Sequence, residues 1–179
     1  MENLNDILAL DANAKTKQFK KGYILQRKGQ SSSLAYYVKN GLLRSYSTDE
    51  KGKEHIFMFA SEGWLIADIE SQEFDQPTEL YIECIEDSEV VVFNRECFKV
   101  ANLTAEQLKE NAHLMARRVA VMQRRVLMLM SASAKDRYEN FLRTYPNLPN
   151  RVPQHMIASY LGITPQALST IRGKLARSH

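Results

Sequence analysis

Seven apolar residues in the second half of the chain are spaced 4, 3, 4, 3, 4 and 3 apart: Leu108, Ala112, Met115, Val119, Met122, Val126 and Leu129. This is the a/d seam of a heptad repeat, and neither glycine nor proline interrupts the stretch from Thr104 to Ser131. A helix of about 27 residues runs roughly 40 Å. A domain of about 90 residues cannot cover that length on its own. Part of the seam must find a partner, and parallel self-association is the simplest one. Leu127 and Met130 flank the seam and thicken it toward its C-terminal end.

The text before the seam differs in kind. From Gln18 to about Phe98, short β-rich runs (QFKKGYILQ, LAYYVKNGLLRSYS, KEHIFMFAS, YIECIED, SEVVVFN) alternate with turn residues. Asn40-Gly41 reads as a hairpin turn and Asp49-Glu50-Lys51-Gly52 as a second tight turn. The pattern predicts an antiparallel sandwich or barrel. A short helix is expected over the first ten residues, from Leu4, Ile7 and Leu8.

After the seam, Ser133 reads as an N-cap with Asp136 in the first turn, and a helix should run to about Thr144. Tyr145-Pro146-Asn147-Leu148-Pro149-Asn150 breaks it. In RVPQHMIASYLGITPQALSTIRGKLARSH, Met156, Ile157, Tyr160 and Leu161 form one apolar face. Gly162 suits the left-handed turn that ends a helix, Thr164 caps the next one, and Pro165 takes its first position. Leu168, Ile171 and Leu175 face inward, and the small Ala158 lets the two helices approach. This is the pattern of a helix-turn-helix, whose second helix enters the major groove of DNA. Gln166, Ser169 and Thr170 would then face base edges, and Thr164, Arg172, Lys174 and Arg177 would meet phosphates. Thr170 and Gly173 soften the reading helix, and Gly173 is expected to interrupt it.

Charge supports that direction. Seventeen of the 21 Asp and Glu precede Lys99 and four follow it, while Lys and Arg split nearly evenly. The second half is therefore the basic one, as expected of a surface that meets a polyanion. Together these features predict an α+β chain: an antiparallel β-roll (a cupin-like double-stranded jelly roll) over 1–103, a long dimerisation helix over 104–131, and a small all-α helix-turn-helix domain over 132–179.

The segments YYVKNGLLRSY, DEKGKEHIFMFASEGW, MARRV and IASYLGITPQALSTIR, in this order, resemble the Crp/Fnr family of bacterial transcription regulators. The resemblance implies a cyclic-nucleotide-binding-like roll, a homodimer, a palindromic operator on double-stranded DNA, and RNA polymerase as a further partner. It also places a pocket in the roll. Trp64, Asp68, Thr78, Glu79 and Tyr81 would line it, with Met122 and Gln123 from the long helix. Family members that bind cyclic AMP carry a Gly-Glu pair and an Arg-Ser pair in the phosphate-holding segment. Here those places read Ala67-Asp68 and Thr78-Glu79. Without the arginine and with an added carboxylate, cyclic AMP binding is expected to be weak or absent. Whether the roll holds another small-molecule effector or is simply filled stays open. A change in the roll is expected to alter the packing of the long helices and to act through a hinge near Ser131-Ala132-Ser133.

No cofactor, metal or catalysis is expected. Cys84 and Cys97 lack a ligand cluster, and both read as small buried thiols in strand text. His55 and His113 give at most a guess at haem ligation. A cupin-type metalloenzyme would need converging ligands, whereas His55, His113, His155 and His179 are scattered. Glu70, Glu73 and Asp75 make a carboxylate-rich loop with no acid/base partner evident. The start of the chain is polar, and no apolar run approaches a membrane span. A cytoplasmic protein with no membrane partner is expected. The competing reading is a ligand-sensing or protein-interaction module that has lost strong DNA binding.

Overall fold

A computed structural model describes residues 14–31, 34–94 and 104–177. The helix expected over the first ten residues, Cys97 and His179 lie outside them. The chain forms two compact units, Met1–Leu108 and Lys109–His179.

The first unit is built of β1 (Lys15–Phe19), β2 (Ile24–Gln26), β3 (Leu34–Asn40), β4 (Leu43–Thr48), β5 (Glu54–Ala60), β6 (Leu65–Ile66), the short helix α1 (Ile69–Glu73), β7 (Tyr81–Cys84) and β8 (Ser88–Asn94). They make two antiparallel four-stranded sheets, ordered β1-β8-β3-β6 and β2-β7-β4-β5. Alternation along the inner strands sends every second side chain between the sheets. Tyr36, Val38, Ile66 and Val90 from one sheet meet Leu43, Ala60, Ile82 and Cys84 from the other in a single buried cluster. Each large apolar side chain buried there contributes roughly 1.5–3 kcal/mol. The alternate residues Ala35, Tyr37, Val91 and Phe93 form a second buried cluster with Leu65 and Ala67 partly buried against it.

Asp49–Gly52 joins β4 to its hairpin partner β5 as expected, and the Asp49 carboxylate accepts the backbone N–H groups of Lys51 and Lys53. Asn40-Gly41 does not join a hairpin. β3 pairs with β6 and β8, while β4 pairs with β5 and β7, so the chain changes sheets at this point. The glycine serves a different need. Gly41 has φ +97°, and a Cβ there would sit 2.7 Å from the Asp87 carbonyl oxygen. A bare backbone is required where the β3–β4 corner crosses the β7–β8 corner.

The second unit is helical. α2 (Ala105–Ser131) carries the seam through to its end. It opens on a capping box, in which Thr104 Oγ1 accepts from Gln107 N and Gln107 Oε1 accepts from Thr104 N. α3 (Ala134–Thr144) starts at Ser133, whose hydroxyl oxygen accepts from Asp136 N. It stops at Tyr145, the residue before Pro146, where an α conformation is disfavoured. A 3-10 turn (Leu148–Asn150) leads to α4 (Gln154–Leu161) and α5 (Pro165–Ala176). Tyr138, Phe141, Leu148, Val152, Ile157, Ala158, Leu161 and Leu168 are the buried core of these helices.

Candidate nucleic-acid interface and roll interior

α4 ends because Gly162 takes the left-handed conformation, φ +66° and ψ +37°. The amides of Gly162 and Ile163 then turn back onto Ser159 O and Ala158 O. Two residues on, Thr164 is extended, and its hydroxyl oxygen accepts from Ala167 N at 3.1 Å. Pro165 follows at the first helical position. Ala158 and Leu168 are fully buried, so the helices meet on small and apolar side chains. The local chemistry expected of a helix-turn-helix is present at each of these positions.

What α5 leaves outside is its polar face. Thr164, Gln166, Ser169, Thr170 and Lys174 are exposed. Thr170 donates its hydroxyl proton to Gln166 O at 3.0 Å, so it presents an acceptor to a partner. Arg172 is half-buried, and its Nη1 is buried with no hydrogen-bond partner among the described residues. Gly173 does not interrupt the helix, contrary to expectation, since α5 continues to Ala176. One glycine weakens a helix by about 1 kcal/mol relative to alanine, which packing against α3 and α4 offsets.

Behind the turn lies a group of side chains that sequence reasoning missed. The Arg125 guanidinium lies 4.1 Å from the centre of the Tyr160 ring, and its Nη2 donates to Tyr160 O at 3.4 Å. Arg137 Nη1 donates to Leu161 O at 2.8 Å. The rings of Phe141, Tyr145 and Tyr160 pack together, with centroids 5.5 to 6.2 Å apart. Burial pushes the Arg125 guanidinium below its ordinary value and the Tyr145 phenol well above its own.

Of the seam, Leu108, Met115 and Met122 are half-buried, while Ala112, Val119, Val126 and Leu129 are exposed. Val119 is 66% exposed and Val126 54%. Leu127 and Met130 beside them are exposed as well.

Among the expected pocket residues of the first unit, the structure brings Asp68 and Thr78 together. Both are buried, and the Thr78 hydroxyl donates to Asp68 Oδ2. Asp68 Oδ1 accepts from Ser71 N, capping α1. Gln26, also buried, donates through Nε2 to Thr78 Oγ1 at 3.0 Å and to Leu80 O at 3.1 Å. Glu79 faces outward and pairs with Lys28 at 2.6 Å. Trp64 is exposed. Tyr81 stands on the face of its sheet opposite Ile82, stacked 5.0 Å from Tyr46. Met122 and Gln123 belong to the other unit. Arg44, unremarked in the sequence, is buried beside Tyr46 with ion pairs to Glu54 and Glu83. Burial works against its charge, but hydrogen bonds to the two glutamates prevail and hold its pKa above the usual range. His55 pairs with Asp49 at 3.0 Å. Among the described residues, no three His, Cys, Asp or Glu side chains converge as a metal site, and no helix is long and apolar enough to cross a membrane.

Residues 16–101 match the cyclic nucleotide-binding domain. The transcriptional activator protein FnrA of Stutzerimonas stutzeri is 26% identical over 185 aligned positions, covering 94% of this chain and 74% of that one. Over nearly its whole length the chain is similar to this transcriptional activator. Solved structures share the fold of the chain. FixK2 from Bradyrhizobium japonicum superposes with a TM-score of 0.79 at 20% identity, over 92% of this chain and 85% of that one. A transcriptional regulator of the CRP/FNR family from Thermus thermophilus gives 0.71 at 22% identity, over 92% and 87%. FnrA is a transcriptional activator and the Thermus protein a transcriptional regulator.

Proposed function

We propose that this protein is a homodimeric, sequence-specific DNA-binding regulator of the Crp/Fnr type. The observation that carries the reading is the exposed polar face of α5, which begins at a capped, proline-led N-terminus and is seated on α4 by the Gly162 turn. Gln166, Ser169 and Thr170 read bases; Thr164, Arg172 and Lys174 hold phosphates. The exposed valines and leucines of α2 support the dimer, because an apolar stripe of that length is costly to leave in water. Two-fold symmetry then sets half-sites about one DNA turn apart.

The roll is proposed to act without cyclic AMP. The Asp68 carboxylate already occupies the Thr78 hydroxyl and the first turn of α1, where an incoming phosphate would seek donors. Its negative charge opposes an anion there. Soluble expression in a cytoplasm fits this role.

Selection of bound duplexes from a random pool tests the reading. A two-fold symmetric consensus is the expected result. No enrichment, together with weak binding to random duplex that does not respond to salt, would sink it in favour of an interaction module.

A further inference from the structure

The expected hinge at Ser131-Ala132-Ser133 is bridged on both sides. Arg125 and Leu129 precede it on α2, and Arg137 follows it on α3, yet all three converge on one short stretch, Tyr160-Leu161-Gly162. That stretch is the C-terminal end of α4, where carbonyl groups without helical partners concentrate partial negative charge. Arg125 lays its guanidinium on the Tyr160 ring and reaches Tyr160 O. Arg137 takes Leu161 O. A Cβ added to Gly162 would lie 3.4 Å from both Leu129 Cδ2 and Arg137 Nη1, so the turn itself is in close contact with both helices. The junction has its own bonds too: Ala132 N donates to Met128 O, and Ser131 Oγ to Leu127 O. These two bonds close the last turn of α2, while the contacts of Arg125, Leu129 and Arg137 with the end of α4 bridge the junction.

We propose that Arg125 is a positioning residue that fixes the reading helix α5 in one orientation to the long helix of its own chain. The proposal rests on the DNA-binding reading for its consequence, though not for its geometry. α5 is seated on α4, and α4 is held at its end by Arg125. The separation of two reading helices in a dimer is then set by where the α2 helices pair, and a single half-site spacing follows. Lysine does not substitute for arginine here. An ammonium lacks the planar face that stacks on a ring and the fork that reaches a carbonyl at the same time.

Two readouts test this in the full chain. The first is the distance between nitroxides on Ala120→Cys and Ala176→Cys, with Cys84→Ala and Cys97→Ala. Labelled chain is diluted into unlabelled chain, so that only the intrachain distance is read. A single narrow distribution is expected with Arg125, at least two-fold broader with Arg125→Met, and broadened by Arg125→Lys as well. Arg125→Lys keeps the charge, so it decides the matter if Arg125→Met fails to fold. An unchanged width in a folded variant overturns the proposal. The second readout is the spacing of half-sites selected from a random pool. Arg125→Lys should keep the half-site sequence while admitting several spacings, and one retained spacing overturns the proposal. If neither chain enriches DNA, the DNA-binding reading fails, while the distance distribution still decides the role of Arg125.

Discussion

Thr78 gives its hydroxyl proton to Asp68, and both side chains are shut inside the roll. The bond closes a chain of donors that runs from the Gln26 amide through Thr78 to a carboxylate that also caps α1. Replacing Asp68 by alanine removes a cap and leaves the buried Thr78 hydroxyl with only the longer contact to Leu80 O, at 3.3 Å. A loss of about 1–3 kcal/mol is expected in urea unfolding. Calorimetry of the parent with cyclic AMP should give no micromolar isotherm, and such an isotherm would show that the Asp68–Thr78 bond yields to a phosphate.

Arg44 should be the most sensitive polar position of the first unit. Arg44→Met removes the cation paired with Glu83 and Glu54 and stacked on the Tyr46 ring. Breaking a buried pair from one side costs about 3–5 kcal/mol. Glu54 is 40% exposed at its side chain, so water recovers part of that, and about 2–3 kcal/mol is expected. A melting temperature within a degree of the parent would contradict it.

Gly173→Ala should stabilise the chain. An added Cβ meets nothing within 4 Å, and the helix already passes through this residue. The gain expected from helix propensity is about 0.5–1 kcal/mol. Thermal denaturation reads it directly, and a fall in melting temperature would mean that this position is not simple exposed helix.

How much of this was legible in the residues depends on how far the partners lie apart. The Ser133 and Thr164 caps, the Gly162 turn and the heptad spacing are local, and reading them required only neighbours a few positions away. Asn40-Gly41 shows the limit. Its turn chemistry was visible, but not the Asp87 backbone that makes glycine necessary there. The same holds for Arg44 with Glu83, Gln26 with Thr78 and Arg125 with Tyr160. Each pairs residues dozens of positions apart, and no periodicity announces such a meeting. Asp68 and Thr78 were singled out through the family resemblance, yet that they bond to each other is a property of the folded chain.

The seam can be tested one residue at a time. Val119→Glu and Val126→Glu place charge on side chains that are exposed within a single chain, so each protomer should stay folded. Sedimentation is expected to show the dimer dissociating at least ten-fold more readily, with the circular dichroism of the parent. A dimer of undiminished affinity would move the interface elsewhere.

Alkaline pH reports on Cys84. Burial raises its thiol pKa from 9.0 to about 11. The folded state therefore favours the protonated form. Its contribution to stability is complete below pH 9 and is lost as pH rises through 11. The urea midpoint of the parent should fall between pH 8.5 and about 10.5 by more than that of Cys84→Ala. Equal slopes would show that the thiol titrates as if exposed.

The pairing of β1 with β8 has a kinetic meaning. Lys15 finds its partner in Val92, and Phe19 in Ser88. During synthesis the first strand must wait, unpaired, until nearly the whole roll has been made. Loop closure over that distance is slow compared with winding a helix. β4 and β5, joined by a tight turn, can form early; β1 closes last. Its first four residues, KTKQ, are exposed and polar, and three of the four are Lys or Thr. A waiting edge strand of that composition resists pairing with the wrong chain. The strand that arrives last is the one built to stay harmless in the meantime.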